Sequence, residues 1–417
     1  MLLACIADDL TGATDLCVNL AREGLSVVQV NGVPSGAIDV PAADALVVAL
    51  KSRTIPADDA VAQALAAQAW LAARGGTRFY FKYCSTFDST PQGNIGPVTE
   101  ALQQTLQAGV VPATPAYPRN GRTVYRGHLF VGDLLLNDTG MRTHPLTPMT
   151  DANLVRLLAA QSRRPVGLVA TETLDAGPGA VRERLAALLA EGKGHAIVDA
   201  IRDEHLTTAG VAFADLPLTT GGAGLGVGLA RALRGQAGAG SGAWARPAVP
   251  PRMAWLSGSC SDATRRQVRQ ADANGTGLRL DPMALAADAG LAARIAADAA
   301  ARIGDAPVLV YATTAPEEVA VAQRALGAAR AAKLVEDAFR TIARALVDAG
   351  VGAFVVAGGE TSGAVVEALG VRALAIGPEI APGVPWTRAL GDRPLWLALK
   401  SGHFGGDDFF ACASAAL

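Results

Sequence analysis

Two adjacent carboxylates, Asp8 and Asp9, close the apolar run Cys5-Ile6-Ala7 and lead into Leu10-Thr11-Gly12-Ala13-Thr14-Asp15. The spacing predicts a strand running into a helix, and open α/β sheets place ligand chemistry at such strand ends. Asp9 or Thr11 could cap that helix, leaving backbone N–H groups to hold an anion. By itself an Asp-Asp pair before a helix is more often a cap and turn. It gains weight from a second segment of the same layout near the other end, Gly358-Gly359-Glu360-Thr361-Ser362-Gly363. Two such sites, one per half, suggest two ligands brought together.

A third segment, Lys82-Tyr83-Cys84-Ser85-Thr86-Phe87-Asp88-Ser89-Thr90, gathers a cation, a carboxylate and several hydroxyls after an apolar run. That mixture suits a small polyhydroxy acid, with Lys82 on its carboxylate and Asp88 and the hydroxyls on its OH groups. An ordinary capped turn uses the same residue types. Asn94 and Gly96 extend the loop. In the other half, paired glycines at 358 and 359 let backbone approach a ligand, and a helix expected to start near Ala364 favours phosphate oxygens. Glu360 there is placed to orient a metal-bound water or a ribose hydroxyl. Ser257-Gly258-Ser259-Cys260-Ser261 and Lys400-Ser401-Gly402-His403-Phe404-Gly405-Gly406 repeat the glycine–hydroxyl pattern, and three such loops could converge on one nucleotide. The run Gly221-Gly222-Ala223-Gly224-Leu225-Gly226-Val227-Gly228 reads equally well as an anion cradle and as close helix–sheet packing. Neither a G-x-x-x-x-G-K-[ST] string nor a G-x-G-x-x-G after the first strand occurs, which argues against a P-loop and a Rossmann dinucleotide site.

The elements that must position these residues follow from periodicity. Strands are predicted at 2–7, 26–31, 45–50, 78–83, 165–170 and 195–199, with helices such as 57–73 and 179–190 between them. A Gly/Ala/Ser/Pro-rich stretch, 235–251, reads as a linker. Beyond it the alternation restarts, with strands near 253–257, 308–311, 353–357 and 395–399 and helices at 316–325 and 334–349. The alanine-rich stretch 284–301 reads as one amphipathic surface helix. The 417 residues exceed one ordinary core. The fold class is α/β: two α/β domains with mostly parallel sheets, residues 1–235 and 252–417, and a ligand cleft between them.

Composition removes other classes. A formal charge of -2 without a Lys/Arg cluster gives no case for nucleic acid. No uninterrupted apolar run is long enough for a bilayer, so no membrane partner is expected. Five scattered cysteines and five histidines form neither a C-x-x-C pair nor a zinc spacing. Reduced thiols and an N-terminus without signal-peptide character lead to a cytoplasmic expectation.

The strings Ile6-Ala7-Asp8-Asp9-Leu10-Thr11-Gly12-Ala13-Thr14-Asp15, the 82–90 loop with Gly93-Asn94-Ile95-Gly96-Pro97-Val98-Thr99, and the 357–363 segment together resemble the four-carbon acid sugar kinases. The resemblance covers essentially the whole chain, in order. That family pairs a sugar-binding N-terminal domain with a nucleotide-binding C-terminal domain. Asn120-Gly121-Arg122-Thr123-Val124-Tyr125, His144-Pro145, Pro148-Met149-Thr150-Asp151, Pro382-Gly383-Val384-Pro385-Trp386 and Ala398-Leu399-Lys400-Ser401-Gly402 resemble its branch acting on 3-oxo-tetronate.

The resemblance implies ATP-dependent phosphorylation of the terminal C4 hydroxyl of 3-oxo-tetronate, giving the 4-phosphate and ADP. It implies Asp8 and Asp9 as the catalytic pair, positioning the acceptor, with one of them taking its proton. Lys82, Asp88, Ser89 and Asn94 are assigned to the acid sugar. Ser257, Ser259, Gly358, Gly359, Glu360, Thr361, Ser362, Gly363, Gly402 and Gly405 are assigned to ATP. Mg²⁺ is expected on the β/γ oxygens, with no protein ligand identified for it. The chain departs from the family pattern at His403, usually Asn, and at Ala223, usually Ser. Alternatives are a D-threonate or D-erythronate kinase of the same family, a nicotinamide-dependent oxidoreductase on the same acids, and a non-catalytic sugar-acid sensor. The sequence leaves a homodimer open.

Overall fold

Every side chain of Leu3–Ala7 is buried, and this run forms β1, the hub of the first unit of the computed structural model. The structure describes residues 1–34, 38–144, 146–238 and 244–417, in two units, Met1–Ser241 and Gly242–Leu417. In the first, β1 is followed by β2 (Val27–Asn31), β3 (Ala45–Ala49), β4 (Phe79–Lys82) and β5 (Val111–Thr114). A small antiparallel sheet of β6 (Arg122–Tyr125), β7 (His128–Val131) and β8 (Leu134–Leu135) intervenes before β9 (Val166–Val169), β10 (His195–Val198) and β11 (Leu218–Gly221). The main sheet runs β2-β3-β1-β4-β11-β5-β10-β9, all parallel. Its strands read as continuous apolar runs because helices cover both faces. β1 has β3 on one side and β4 on the other, so the chain leaves it in both directions; that is the topological switch point at which α/β sheets bind ligands.

In the first unit two parallel strands escaped the sequence pattern. β5 is only Val-Pro-Ala-Thr, and β11 is Leu-Thr-Thr-Gly running into the glycine-rich stretch. That stretch is the start of the helix Ala223–Leu233. Its glycines serve packing: a Cβ on Gly228 would lie 2.0 Å from the Leu206 carbonyl oxygen, and one on Gly224 2.4 Å from that of Ala116. Of the two readings of the run, close packing is the one the contacts carry.

The second unit contains β12 (Arg252–Ser257), β13 (Leu278–Arg279), β14 (Val308–Tyr311), β15 (Val351–Ala357), β16 (Ala373–Ala381), β17 (Val384–Leu390) and β18 (Trp396–Lys400). Their order is β13-β14-β12-β15-β18-β17-β16, parallel through β18, with the β16–β17 hairpin antiparallel. The hairpin lacks a clean alternation, since Gly377, Pro378 and Glu379 interrupt β16. Trp386, Phe409 and Phe410 fill the core beneath β15 and β18.

Two helix expectations need correction. The 284–301 stretch is two helices, Pro282–Ala287 and Leu291–Ala301, because Asp288 turns the chain by accepting the Gly290 N–H at 2.9 Å. The helix expected from Ala364 starts at Gly359, since Gly358 (φ 124°) reverses the chain directly after β15. Residues 359–363 are thus the opening of a helix and not a loop. In the expected linker, residues 244–251 form no helix or strand, and Trp244 packs where a Cβ on Gly377 would lie 2.5 Å from its ring. Residues 239–243 of that linker, and Pro145, lie outside the described residues. Among the described residues no helix is long and apolar enough to cross a membrane.

Candidate active site

Asp8, at the end of β1, is 3% exposed and would be untenable there without a partner. Arg53 supplies it. Its Nε donates to Asp8 Oδ2 at 2.8 Å and its Nη2 to Oδ1 at 2.7 Å, a two-pronged bond, while Nη2 also donates to Asp9 Oδ1 at 2.6 Å. Asp9 is the N-cap of the helix Leu10–Arg22, accepting from the Gly12 N–H at 3.1 Å, and its Oδ2 accepts from Thr11 Oγ1 at 3.0 Å. Burial pushes the Asp8 carboxyl above the usual range against the pull of Arg53. At Asp9 burial also pushes upward, but Arg53, Lys82, Thr11 and the Gly12 N–H outweigh it and hold that carboxyl low. Each oxygen of the pair therefore already carries a donor.

Lys82 ends β4, one strand away, and its Nζ lies 3.7 Å from Asp9 Oδ1 while the residue is 4% exposed. It runs so close over the helix start that a Cβ on Gly12 would sit 1.9 Å from Nζ. One turn further along the same helix face is Asp15, whose Oδ1 accepts from Asn19 Nδ2 at 3.0 Å. Burial pushes the Asp15 carboxyl up to about 6, against the opposing Lys82 charge.

The other expected acid-sugar residues are placed differently. Asp88 accepts from Thr86 Oγ1 at 2.6 Å, and buried Ser89 accepts from Gln161 Nε2 at 2.9 Å. No hydrogen bond among the described residues joins either to the aspartate pair. Between them and Lys82, Phe87 is held at φ 53°, with its fully buried ring edge-on to Tyr83 at 5.4 Å. A non-glycine residue in that region stores strain, as ligand loops often do. Asn94 donates through Nδ2 to the carbonyls of Ser52 (2.7 Å), Arg53 (3.3 Å) and Ile55 (3.2 Å), so it fixes the loop that carries Arg53.

Arg53 itself is absent from the sequence reading. It follows β3, and the only signal was one of two cations, Lys51 and Arg53, just after a strand. That signal becomes informative once β3 is known to pair with β1.

In the second unit the three glycine–hydroxyl loops meet, because β12, β15 and β18 are parallel neighbours with their carboxyl ends together. The Gly258 and Ser259 N–H groups donate to the Ala357 carbonyl at 3.0 and 3.2 Å, and the Gly358 N–H to that of Lys400 at 2.9 Å. A Cβ on Gly402 would lie 2.4 Å from Ser259 Oγ, and one on Gly258 2.1 Å from Thr361 Oγ1. Ser257 turns inward, its Oγ 2.7 Å from Thr313 Oγ1. Gly405 (φ 82°) gives its carbonyl to Gln267 Nε2 at 3.0 Å. The first-turn N–H groups of the helix Gly359–Ala368 point out of its start, where Gly359 and Glu360 are exposed. Open space surrounds the Cβ position of Gly363. The buried Ser362 Oγ has no hydrogen-bond partner among the described residues. That end presents phosphate oxygens with the N–H groups of a helix opening. Beside it a mostly apolar groove of about 410 Å³, walled by Leu280, Met283, Val319, Ala322 and Val335, reaches Gly258 and Thr361. Its size and lining suit a purine base.

The sugar-binding N-terminal domain family matches residues 3–229, and the nucleotide-binding C-terminal domain family matches residues 254–410. The chain belongs to the four-carbon acid sugar kinase family. Among relatives in this family, a 3-oxo-tetronate kinase of Cupriavidus necator is 55% identical over 98% of this chain and 95% of its own. One of Burkholderia multivorans is 52% identical over 100% of this chain and 97% of its own. A Haemophilus influenzae crystal structure superposes with a TM-score of 0.80 at 43% identity, over 99% of both chains. A Salmonella typhimurium LT2 structure, provisionally described as a tRNA synthase, does so with a TM-score of 0.88 at 42% identity, over 99% of both.

Proposed function

We propose that this acid sugar kinase transfers the γ-phosphoryl of ATP to the C4 hydroxyl of 3-oxo-tetronate, giving the 4-phosphate and ADP. Full-length identity above 50% to kinases of that name carries the reading. The site chemistry agrees with it. Lys82 is buried, and its one close partner among the described residues is a carboxylate at the long distance of 3.7 Å, so its donors remain to take the substrate carboxylate. Asp8, Asp9 and Arg53 form a rigid charged floor against which a small polyhydroxy acid is oriented. Asp88 and Ser89, on the loop that follows Lys82, are assigned to its hydroxyls, and Asn94 acts by fixing the Arg53 loop. Phosphoryl transfer asks little covalent help of a protein: it needs in-line positioning and neutralisation of charge.

ATP is assigned to the second unit, its base in the apolar groove and its phosphates on Ser259, Gly358, Gly402 and the helix opening at Gly359. Mg²⁺ supplies charge neutralisation on the β/γ oxygens when bound. Among the described residues no group of three or more His, Cys, Asp or Glu side chains is placed to hold a metal ion. An ion that keeps its waters and arrives on the nucleotide needs only one or two carboxylates, and Glu360 is the one at the helix opening. Nothing in a chain of formal charge -2 favours a tRNA-directed activity. A cytoplasmic location fits the substrates.

Purified protein given ATP, Mg²⁺ and a panel of 3-oxo-tetronate, D-threonate and D-erythronate is expected to release ADP with 3-oxo-tetronate at a kcat/KM at least about tenfold above the other two. A reversed preference would reassign the substrate. NADH-linked turnover without ADP would place the protein in another class.

A further inference from the structure

Every oxygen of the Asp8–Asp9 pair already accepts a hydrogen bond. Both Asp8 oxygens take Arg53 N–H groups, and the Asp9 oxygens take Gly12, Arg53 and Thr11. Those donors hold the Asp9 carboxyl low and make it a weak base, and at Asp8 a proton would have to displace an Arg53 N–H from one of the two oxygens. Asp15 differs. Its Oδ1 accepts one neutral bond, from Asn19, and Oδ2 has no partner among the described residues. The residue is partly exposed. It stands on the Thr11–Gly12 face of the helix, over which Lys82 extends. Asn19 is in turn fixed by Tyr117, whose Oη donates to Asn19 Oδ1 at 2.7 Å, while Asn19 Nδ2 also holds the Asp15 carbonyl at 2.7 Å. The chain Tyr117–Asn19–Asp15 thus orients one carboxylate and leaves its second oxygen open.

We propose that Asp15 is the proton acceptor for the attacking hydroxyl, with Asn19 and Tyr117 as its positioning residues. This rests on the kinase reading above. In the step, the C4 O–H proton passes to Asp15 Oδ2 as the hydroxyl oxygen bonds to the γ-phosphorus. The bond from that phosphorus to the β–γ bridging oxygen breaks, and ADP leaves with the electron pair. Asp15 then returns the proton to water. The charged and titratable groups around Asp15 are Lys82 and Tyr80 from β4, Asp9, Arg22 and Cys17 from its own helix and cap, and Tyr117. With its carboxyl pushed up to about 6, Asp15 is mostly ionised at neutral pH and still basic enough to accept a proton.

The test compares wild type, Asp15→Asn and Tyr117→Phe by steady-state kinetics from pH 5 to 8, with acid-sugar and ADP affinities measured by calorimetry. Asp15→Asn is expected to lower kcat by about 10²–10⁴-fold while both affinities stay within about threefold. The acid limb of the wild-type kcat profile, with a midpoint near 6, should vanish in that variant. Tyr117→Phe should keep the limb but lower kcat by a smaller factor. If Asp15→Asn keeps kcat within about threefold, or keeps the limb, or loses acid-sugar affinity as fully as kcat, Asp15 is not the acceptor. A wild-type protein that phosphorylates no four-carbon acid overturns the kinase reading and this proposal together; an active wild type with an unaffected Asp15→Asn overturns this proposal alone.

Discussion

Arg53 decides whether Asp8 can exist where it does. A carboxylate at the end of a buried strand would otherwise protonate or unfold its surroundings, and the guanidinium is the side chain that meets both of its oxygens while reaching Asp9. Removing it by Arg53→Met leaves a buried charge unpaired, so stability should fall by about 3–5 kcal/mol in urea unfolding. Arg53→Lys is the sharper experiment. An ammonium is a point charge and cannot span Asp8 and Asp9 together, so the fold should survive while the acid-sugar KM rises at least about tenfold. An unchanged KM would make Arg53 a purely structural clamp.

At the scale of elements, the end of β18 holds a cation where sequence patterns place an apolar residue. Lys400 is fully buried; its Nζ donates to Thr264 Oγ1 at 2.9 Å and to the Ser401 carbonyl at 3.1 Å, in a loop whose Gly402 carbonyl also accepts from Ser261 Oγ at 2.5 Å. Burial lowers its titration to about 7 from an ordinary 10.5. Between those values the unfolded chain binds a proton that the folded chain does not, so this group makes stability rise with pH across that window. Below pH 7 both states are charged and the burial penalty is constant. The free-energy difference between wild type and Lys400→Met, from urea unfolding, should therefore shift in favour of wild type between pH 7 and 9. A difference independent of pH would mean that the lysine stays charged in the folded loop.

For the whole molecule, the proposed assignment of the acid sugar to the first unit and ATP to the second predicts that a defect in one does not reach the affinity of the other. Gly12→Ala forces a Cβ to within 1.9 Å of the present Lys82 Nζ position, and Gly358→Ala places one at φ 124°, 3.1 Å from the Ser259 nitrogen. Calorimetry should show the first variant losing acid-sugar affinity at least about tenfold with ADP affinity intact, and the second the reverse. The double variant should add within about 0.5 kcal/mol in each binding free energy. A Gly358→Ala protein that loses acid-sugar binding instead would end this division of labour.

The sequence by itself determined the α/β alternation and the strand ends that carry Asp8, Lys82, Ser257, Gly358 and Lys400, because burial and backbone turning are written locally in apolar runs and glycines. The Gly359 helix start and the break at Asp288 were equally local, but each depended on a single residue that periodicity averages over. Strand order was not local at all. That β3 lies beside β1 turned Arg53 from one cation among many into the partner of Asp8, and that β4 lies on the other side brought Lys82 over Gly12. The same ordering set the Arg53 guanidinium against the aspartate pair and not against Asp15. Residue types announce what chemistry is available; which groups are already satisfied depends on neighbours distant in sequence, and only the folded chain supplies those.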